Sequence, residues 1–591
     1  MKNFFAVALP MLLVATAPAE EAIKWTTNWD SPPIGDPVRA IKGGTFRDNM
    51  PAYPKTFRTL GPNSNEMWAN WRRNYMEGPG LVGRHPQTDE HIPGMAIEWA
   101  VSDDNKSVYY KLDPKAQWSD GRPITADDFV FAYNAYKNPA ILDPFLNAYV
   151  EDMIASVEKL DTHTIKITGK QASWRALDDL GIGPLPAHAM VFDEGWETRT
   201  NYSIPVTAGP YTIGEAKEGE SVTLVRNPNW WGYGNKYFAG LYNPDRIVVR
   251  VIPEDERVFD FFKLGELDFI PVMRASRWAR EMDLEIFSNG YASRRELYTQ
   301  TPDGMSGIGM NLKTPVLRNK EFRKALQYLF DFDKLNRQIM FNAYFRKVSA
   351  FDGTEYANPN LKPYGFDPRK AREHLRAAGF TKRGNDGILV NAAGQRASVS
   401  LMFGGKSLER HLTVIQEAYK AAGIEIKLQP LESATYFEKV REKASEAFTM
   451  SMTGGFYPEP FQYFHSSFAG KPQTNNFFEF SNPRADELID IYRFDLDKEK
   501  RLAAMHELDA MIQDEAFYIP FWNAPFMRFA YYRWVEFPAD YFPKRTEAYL
   551  EYPTFWINEA KKAEIEAAMK EKRALPADSV VIVDPHGVKP K

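Results

Sequence analysis

Few of the residue types that do covalent chemistry stand at spacings that would let them do it. Gly405-Lys406-Ser407 lies between an expected strand and an expected helix, where a phosphate loop belongs, but Ser400 occupies the place of the glycine that motif needs. In "WGYGNKY", Tyr237 takes the third glycine place of the dinucleotide pattern. His506-Glu507 opens like a zinc-protease helix, yet Ala510 stands where a second histidine is required. His85 and His91 fall in a proline-containing loop at a poor spacing for metal ligands. In "GMSGIG", Gly307 follows Ser306 directly, so the nucleophile-elbow spacing fails. There is no cysteine, which rules out thiolate nucleophiles, thiolate metal sites and disulfides. The residues therefore read as a binding protein, with no catalytic residue, metal or cofactor expected. A secreted hydrolase whose groups gather from distant positions is the competing class.

One stretch looks built to hold something. "TGGFYPEPFQYF", Thr453 to Phe464, has two glycines, two prolines, five aromatics and one carboxylate, Glu459. Aromatic rings offer flat apolar surface, and glycine lets another backbone approach closely. Gly454 and Gly455 are candidates for backbone pairing with a ligand, and Phe456 and Tyr457 for packing on it. Both rings have an alternative place in a lobe core beside a turn.

Periodicity supplies the elements that must position this stretch. "KGGTFRDNMP" leads from a glycine pair into a strand, and "EWAVSDDNKSVYYKL" reads as a hairpin around an Asp-Asp-Asn turn. Thr125 and Asp128 have capping-box spacing ahead of a helix with Phe129, Val130, Tyr133 and Tyr136 on one face. From Arg246 the order is strand, helix, strand, a βαβ unit that predicts parallel pairing. The glycine-rich "TPDGMSGIG" reads as a connection, followed by a helix with Phe322, Ala325, Leu326, Leu329 and Phe330 on one stripe. "ASVSLMF", a helix stopped by Gly423, and "IEIKL" form a second αβ unit. Asn482-Pro483 starts one late helix, and another spans Lys498 to Asp514. "NEAKKAEIEAAMKEKRAL" reads as a charged helix that is either a solvated face or an appendage, with a partner-binding helix as the lesser alternative. Two α/β lobes joined by glycine-rich crossings is the expected architecture.

Composition sets outer limits. A chain of 591 residues divides into at least two lobes. The net charge of −5, with 73 basic and 78 acidic residues, gives no footprint for nucleic acid. At the start, a lysine precedes the apolar run Phe4 to Val14, and Ala17 and Ala19 follow. That order is a secretory signal cut after Ala19. The expected location is the periplasm of a Gram-negative cell, without a lipid anchor.

"GMAIEWAVSDDNKSVYYKLDPKAQWSDGRPITADDFVFAY" resembles the family 5 extracellular solute-binding proteins, the dipeptide- and oligopeptide-type receptors of ABC importers. The resemblance continues in register through "TAGPYTIGEAKEGESVTLVRNPNWWG", "RIVVRVIPEDERVFDFFKLGELDFI", "GMNLKTPVLRNKEFRKALQYLFDFDKL" and "ELDAMIQDEAFYIPFW". It implies an α/β periplasmic binding protein of type II, in the large three-domain variant, with a hinge-closing cleft and a discontinuous first lobe. The implied divisions are a signal peptide at 1–19, lobe I at 20–75, its accessory subdomain at 76–204 and lobe I again at 205–300. Lobe II is expected at 301–520, and a return to lobe I with the charged tail at 521–591.

The resemblance also implies partners and pocket residues. A monomer would capture a peptide or peptide-like ligand and deliver it to an inner-membrane ABC permease. Asn63, Ser64 and Asn65 lie in the turn that faces the cleft in this family, and Trp522 and Asn523 at its second crossing. Family members that bind free peptides hold the ligand ammonium with an aspartate just before the aromatic stretch. Between Gly454 and Glu459 this chain has only Gly455, Phe456, Tyr457 and Pro458. Either Glu459 takes that role, or the ligand has no free amine there, since a buried unpaired ammonium costs several kcal/mol. The second resembles the Yej-type branch, whose ligands include N-blocked, modified and murein-derived peptides. An oligosaccharide is the alternative ligand.

Overall fold

The computed structural model describes residues 23–587 apart from 139–140, 142–143, 303, 405–407, 453, 539–543, 546–553, 579 and 585–586. The signal segment and Gly405-Lys406-Ser407 lie outside the described residues, as does Thr453.

Two four-stranded sheets make the first lobe. In one, Thr45–Met50 pairs in parallel with Arg246–Val251, which continues antiparallel to Ser221–Arg226 and then to Tyr211–Lys217. In the other, Phe269–Pro271 and Ala292–Tyr298 flank Phe526–Tyr532 antiparallel, and Val581–Val583 adds a parallel edge strand. The expected parallel pairing within the strand–helix–strand unit from Arg246 does not occur. Arg246–Val251 and Phe269–Pro271 sit in different sheets, and the parallel partner of Arg246–Val251 is Thr45–Met50. Local periodicity set the elements of that unit correctly but could not see a strand from 200 residues upstream taking the place beside it.

Asp268 joins the two sheets. Its backbone N–H donates to the Arg47 carbonyl at 3.0 Å, while its fully buried carboxylate accepts from the Arg47 N–H at 2.6 Å and the guanidinium at 2.5 Å. The same carboxylate accepts from Trp534 Nε1 at 2.9 Å. One side chain thereby satisfies donors from the first strand and the last return of the chain, where an unpaired buried group would be costly.

Lobe II has one five-stranded sheet, in the order Glu425–Leu431, Ser398–Gly404, Ala447–Ser451, Ser306–Met310, Tyr518–Pro520. The segment read as a glycine-rich connection is partly a central strand of it. Gly307 is needed there, because a Cβ would come within 2.2 Å of the Ile519 carbonyl. Around this sheet the helix Lys320–Tyr328 buries Phe322, Ala325 and Leu326, with Leu329 and Phe330 beyond its end, and Glu409–Ala422 buries Leu412, Ile415 and Tyr419. Asn482 caps Pro483–Phe494 by accepting from the Arg484 and Ala485 N–H groups.

A third core belongs to the antiparallel sheet Ala96–Val101, Ser107–Leu112, Thr164–Gly169, Ile154–Asp161. The helix Ala126–Tyr136 covers it, its start fixed by the Asp128 carboxylate accepting from the Thr125 N–H at 2.9 Å. The charged helix near the C-terminus, Glu559–Glu571, is no appendage: Ile565 and Ala568 are buried in the lobe I core. Its polar residues hide a two-residue apolar contact too sparse to show as a stripe.

Two outcomes test this assembly. Asp268→Asn leaves Arg47 without its counter-charge and should cost about 3–5 kcal/mol in urea unfolding; a loss under about 1 kcal/mol would show the junction to be held otherwise. Burial pushes the Asp48 carboxyl up to about 6, helped by the charge of Asp268 and opposed by hydrogen bonds from Trp71 and the Asn49 N–H. The folded chain then keeps a proton that an unfolded aspartate, at 3.8, has given up. This contribution to stability is present below about pH 4 and is lost as the pH rises through about 6. Relative to Asp48→Asn, the parent protein should lose stability across that window; parallel pH profiles would remove Asp48 from the account.

Candidate functional site

The aromatic stretch leaves the lobe II sheet at Ser451 and ends in the short helix Pro460–Phe464. Proline at the helix start needs no N–H donor, so it sets the turn of the chain there. Gly454 is required by packing: a Cβ would fall 2.0 Å from the Pro302 carbonyl, on the crossing between lobes. Its close approach is therefore to the chain's own backbone. Gly455 has more room, its nearest neighbour being the Tyr457 carbonyl at 3.1 Å.

A cavity of about 190 Å³ lies beside this stretch, lined among others by Met305, Phe351, Asp352, Gly455, Tyr457 and Glu459. It falls below the roughly 300–1,000 Å³ of sites that engulf a drug-sized ligand. Such a space suits the end of a longer ligand. Both carboxylates on its wall are engaged. Asp352 accepts from the Val348 N–H at 2.8 Å and the Ser349 N–H at 3.2 Å. Glu459 accepts from Arg175 at 2.9 Å.

Arg175 comes from the accessory subdomain, and with Trp174 it crosses to lobe II. The Trp174 ring lies 5.0 Å from Tyr457, 5.9 Å from Tyr492 and 6.3 Å from Tyr356, and its Nε1–H donates to the Tyr492 carbonyl at 2.9 Å. The Arg501 guanidinium sits 4.0 Å from the same ring. Three rings, a cation and a carbonyl thus surround one indole, which gains both apolar burial and a satisfied donor. Burial alone would lower the Arg175 guanidinium, but Glu459 and Asp179 hold it above its ordinary value. Burial pushes the Glu459 carboxyl up against the pull of Arg175, although 48% of its side chain remains exposed.

A second contact stands beside the first. Arg84 donates to the Tyr457 hydroxyl at 2.9 Å, to Asp178 at 2.6 Å, and lies 4.1 Å from the Phe456 ring. Arg545 approaches the same ring at 4.3 Å and is paired with Asp89 at 3.2 Å. Phe456 therefore contacts two guanidiniums, one from the subdomain and one from the returning chain. Three parts of the molecule converge on residues 456–459.

The other expected residues lie apart. Ser64 is buried and its N–H donates to the Gly61 carbonyl at 3.1 Å, while the Asn65 side chain accepts from Arg73 at 2.5 Å. Asn63, at φ 65°, opens on a depression shared with Arg58, Glu197 and Tyr202, distinct from the cavity at 454–463. Trp522 stacks on Phe521 at 4.7 Å and on His411 at 5.4 Å. Asn523 pairs in register with Phe345, and its buried Oδ1 has no hydrogen-bond partner. Of the expected set, the structure brings together Gly454, Gly455, Tyr457 and Glu459 on one cavity, with Phe456 beside it. Sequence reasoning missed Trp174, Arg175 and Arg84. The available signal was Trp174 itself, a large aromatic in the otherwise polar loop "GKQASWR" between a strand and a short helix.

The middle region of the bacterial extracellular solute-binding proteins, family 5, matches residues 90–475. A protein of Agrobacterium fabrum named "Probable peptide-binding protein YejA" is 26% identical over 542 residues, 82% of this chain and 84% of its own. The "Peptidoglycan-binding protein YepA" of the same organism is 22% identical, over 84% of this chain and 86% of its own. The fold is shared with the oligopeptide-binding protein AppA of Bacillus subtilis, solved with a nonapeptide, at a TM-score of 0.71 and 20% identity, covering 88% of this chain and all of AppA.

Trp174→Ala empties the space among Tyr356, Tyr457 and Tyr492. The expected outcome is a loss of about 2 kcal/mol or more from the contact between subdomain and lobe II, read as a larger radius of gyration in solution scattering. An unchanged radius would show that the indole does not hold the lobes together.

Proposed function

The chain belongs to the bacterial extracellular solute-binding proteins of family 5, and on that premise we propose that it captures a peptide or peptide-like solute whose end at Glu459 carries no free amine. The ligand would lie between the two lobes with that end in the cavity beside Gly455, Tyr457 and Glu459. It would then be released to an inner-membrane ABC permease, with no bond made or broken. The location is the periplasm, after removal of the segment ending at Ala19. The division into lobe I, accessory subdomain and lobe II at 76, 205, 301 and 521 belongs to the same reading.

One observation carries the choice of ligand end: the two carboxylates on the cavity wall are already engaged, Asp352 by backbone N–H groups and Glu459 by Arg175. An incoming ammonium would have to displace Arg175 from Glu459 or enter without a carboxylate partner, and either costs interaction energy that a blocked end does not. A formylated, acylated or sugar-linked end avoids that cost and can pack on Tyr457. The names of the relatives, peptide-binding in one case and peptidoglycan-binding in another, support the peptide-like class. Asn63, Ser64, Asn65, Trp522 and Asn523 remain in the proposal as contacts for the rest of a longer ligand. Affinity needs no unusual source, since a micromolar constant corresponds to about −8 kcal/mol.

The test compares one peptide series with free and N-formylated ends by thermal shift, on mature protein refolded after ligand stripping. At a hundred times its dissociation constant a ligand stabilises by about 2.7 kcal/mol. Formylated peptides should raise the melting temperature and their free counterparts should not. Equal shifts would sink the blocked-end reading and make Glu459 an ammonium acceptor. A response only to oligosaccharides would favour the sugar alternative, and turnover of any ligand would favour the hydrolase.

A further inference from the structure

The second sheet of lobe I carries an arginine that no carboxylate among the described residues neutralises. Arg295, in the strand Ala292–Tyr298, pairs in register with Phe529 on one side and Val581 on the other. Its guanidinium lies 4.8 Å from the Phe537 ring, 5.7 Å from Tyr531 and 5.9 Å from Phe529. Three rings lie against the group and orient it. No carboxylate among the described residues pairs with it, and its Nε is buried without a hydrogen-bond partner.

Arg295 opens on a cavity of about 350 Å³ that also touches Arg39, Arg533, Glu536, Lys561 and Asp578. The other charges there are already matched. Arg39 pairs with Asp36 at 2.5 Å, Arg533 with Asp578 at 3.1 Å, and Lys561 with Glu536 at 3.3 Å. Glu536 accepts further from Trp556 Nε1 at 2.9 Å. Among the described residues, one positive charge is left over, on a group held against three rings.

The C-terminal segment reaches this space at Asp578. Its path is tight over Gly290, where a Cβ would lie 2.6 Å from the Pro576 carbonyl. Asp578 is fixed by Arg533 and by the Ser293 hydroxyl, which donates to it at 2.9 Å. The strand Val581–Val583 then runs beside Arg295. A guanidinium held against rings, with its Nε buried and the group lining a cavity, is matched by two oxygens of one oxyanion. The volume stands at the small end of ligand sites, roughly 300–1,000 Å³. None of the lining residues belongs to the cavity at 454–463.

We propose that this pocket binds a small carboxylate or phosphate oxyanion, anchored by Arg295 and bordered by Asp578 of the C-terminal segment, at a site separate from the solute cleft.

Isothermal titration of the full mature chain with inorganic phosphate and, separately, with succinate tests this at constant ionic strength. At least one of the two should bind saturably with one site per chain. Arg295→Gln should weaken that binding about tenfold or more, the size expected for a lost charge-assisted pair. Arg295→Lys, which keeps the charge, should retain part of it, and guards against a Gln variant that fails to fold. Arg199→Gln, an exposed residue paired with Asp193, should bind as the parent does. The proposal is overturned if neither anion binds saturably, or if Arg295→Gln binds as tightly as the parent. Equal loss in Arg199→Gln would reduce the effect to net charge and overturn it as well.

Discussion

The Asp268 carboxylate is the constraint on which the rest of the molecule hangs. Lobe I is assembled from stretches at the start, middle and end of the chain, and no local sequence preference brings them together. Asp268 accepts from Arg47 in the first strand and from Trp534 in the last return, and its backbone extends the hydrogen bonding from one sheet toward the other. A carboxylate buried with its donors supplied has a deep minimum, and one missing partner exposes the full desolvation cost.

Given that frame, the contact between subdomain and lobe II is made by packing more than by charge. Trp174 fills a ring-lined place and meets its one donor requirement at Tyr492. Arg175 and Arg84 add ion pairs, but each also lies against aromatic rings, so the charge is delivered into surroundings that are largely apolar. Both carboxylates on the cavity wall, Asp352 and Glu459, are matched from within the protein.

The same contrast separates the cleft from the pocket at Arg295. At the cavity beside Glu459, opposite charges meet across elements; around Arg295, three rings meet a charge and no acid among the described residues does. Ring contacts orient a guanidinium without cancelling its charge. The C-terminal segment, which reads as a charged tail, contributes a helix to the lobe I core and a strand to its sheet.

Much of the local structure was legible in the amino-acid sequence because it depends on neighbours within a few residues. Thr125 and Asp128 mark a helix start, Asn482 caps another, and Gly423 stops a third, each through contacts made inside a turn or two. The stripe from Phe322 to Phe330 and the motifs shared with family 5 are likewise properties of order along the chain. The aromatic stretch at Gly454 to Glu459 was legible as an unusual surface, and Gly454, Gly455, Tyr457 and Glu459 do line one cavity. Sequence could not decide which strand would lie beside Arg246–Val251, since its parallel partner comes from the start of the chain. Nor could it show that Glu459 meets Arg175, or that Trp174 enters lobe II, because those partners are hundreds of residues apart and are neighbours only once the lobes meet. The sequence by itself determined the elements, their caps and the family; the tertiary structure decided which charges are spent and which remain, because pairing and desolvation depend on distance in space.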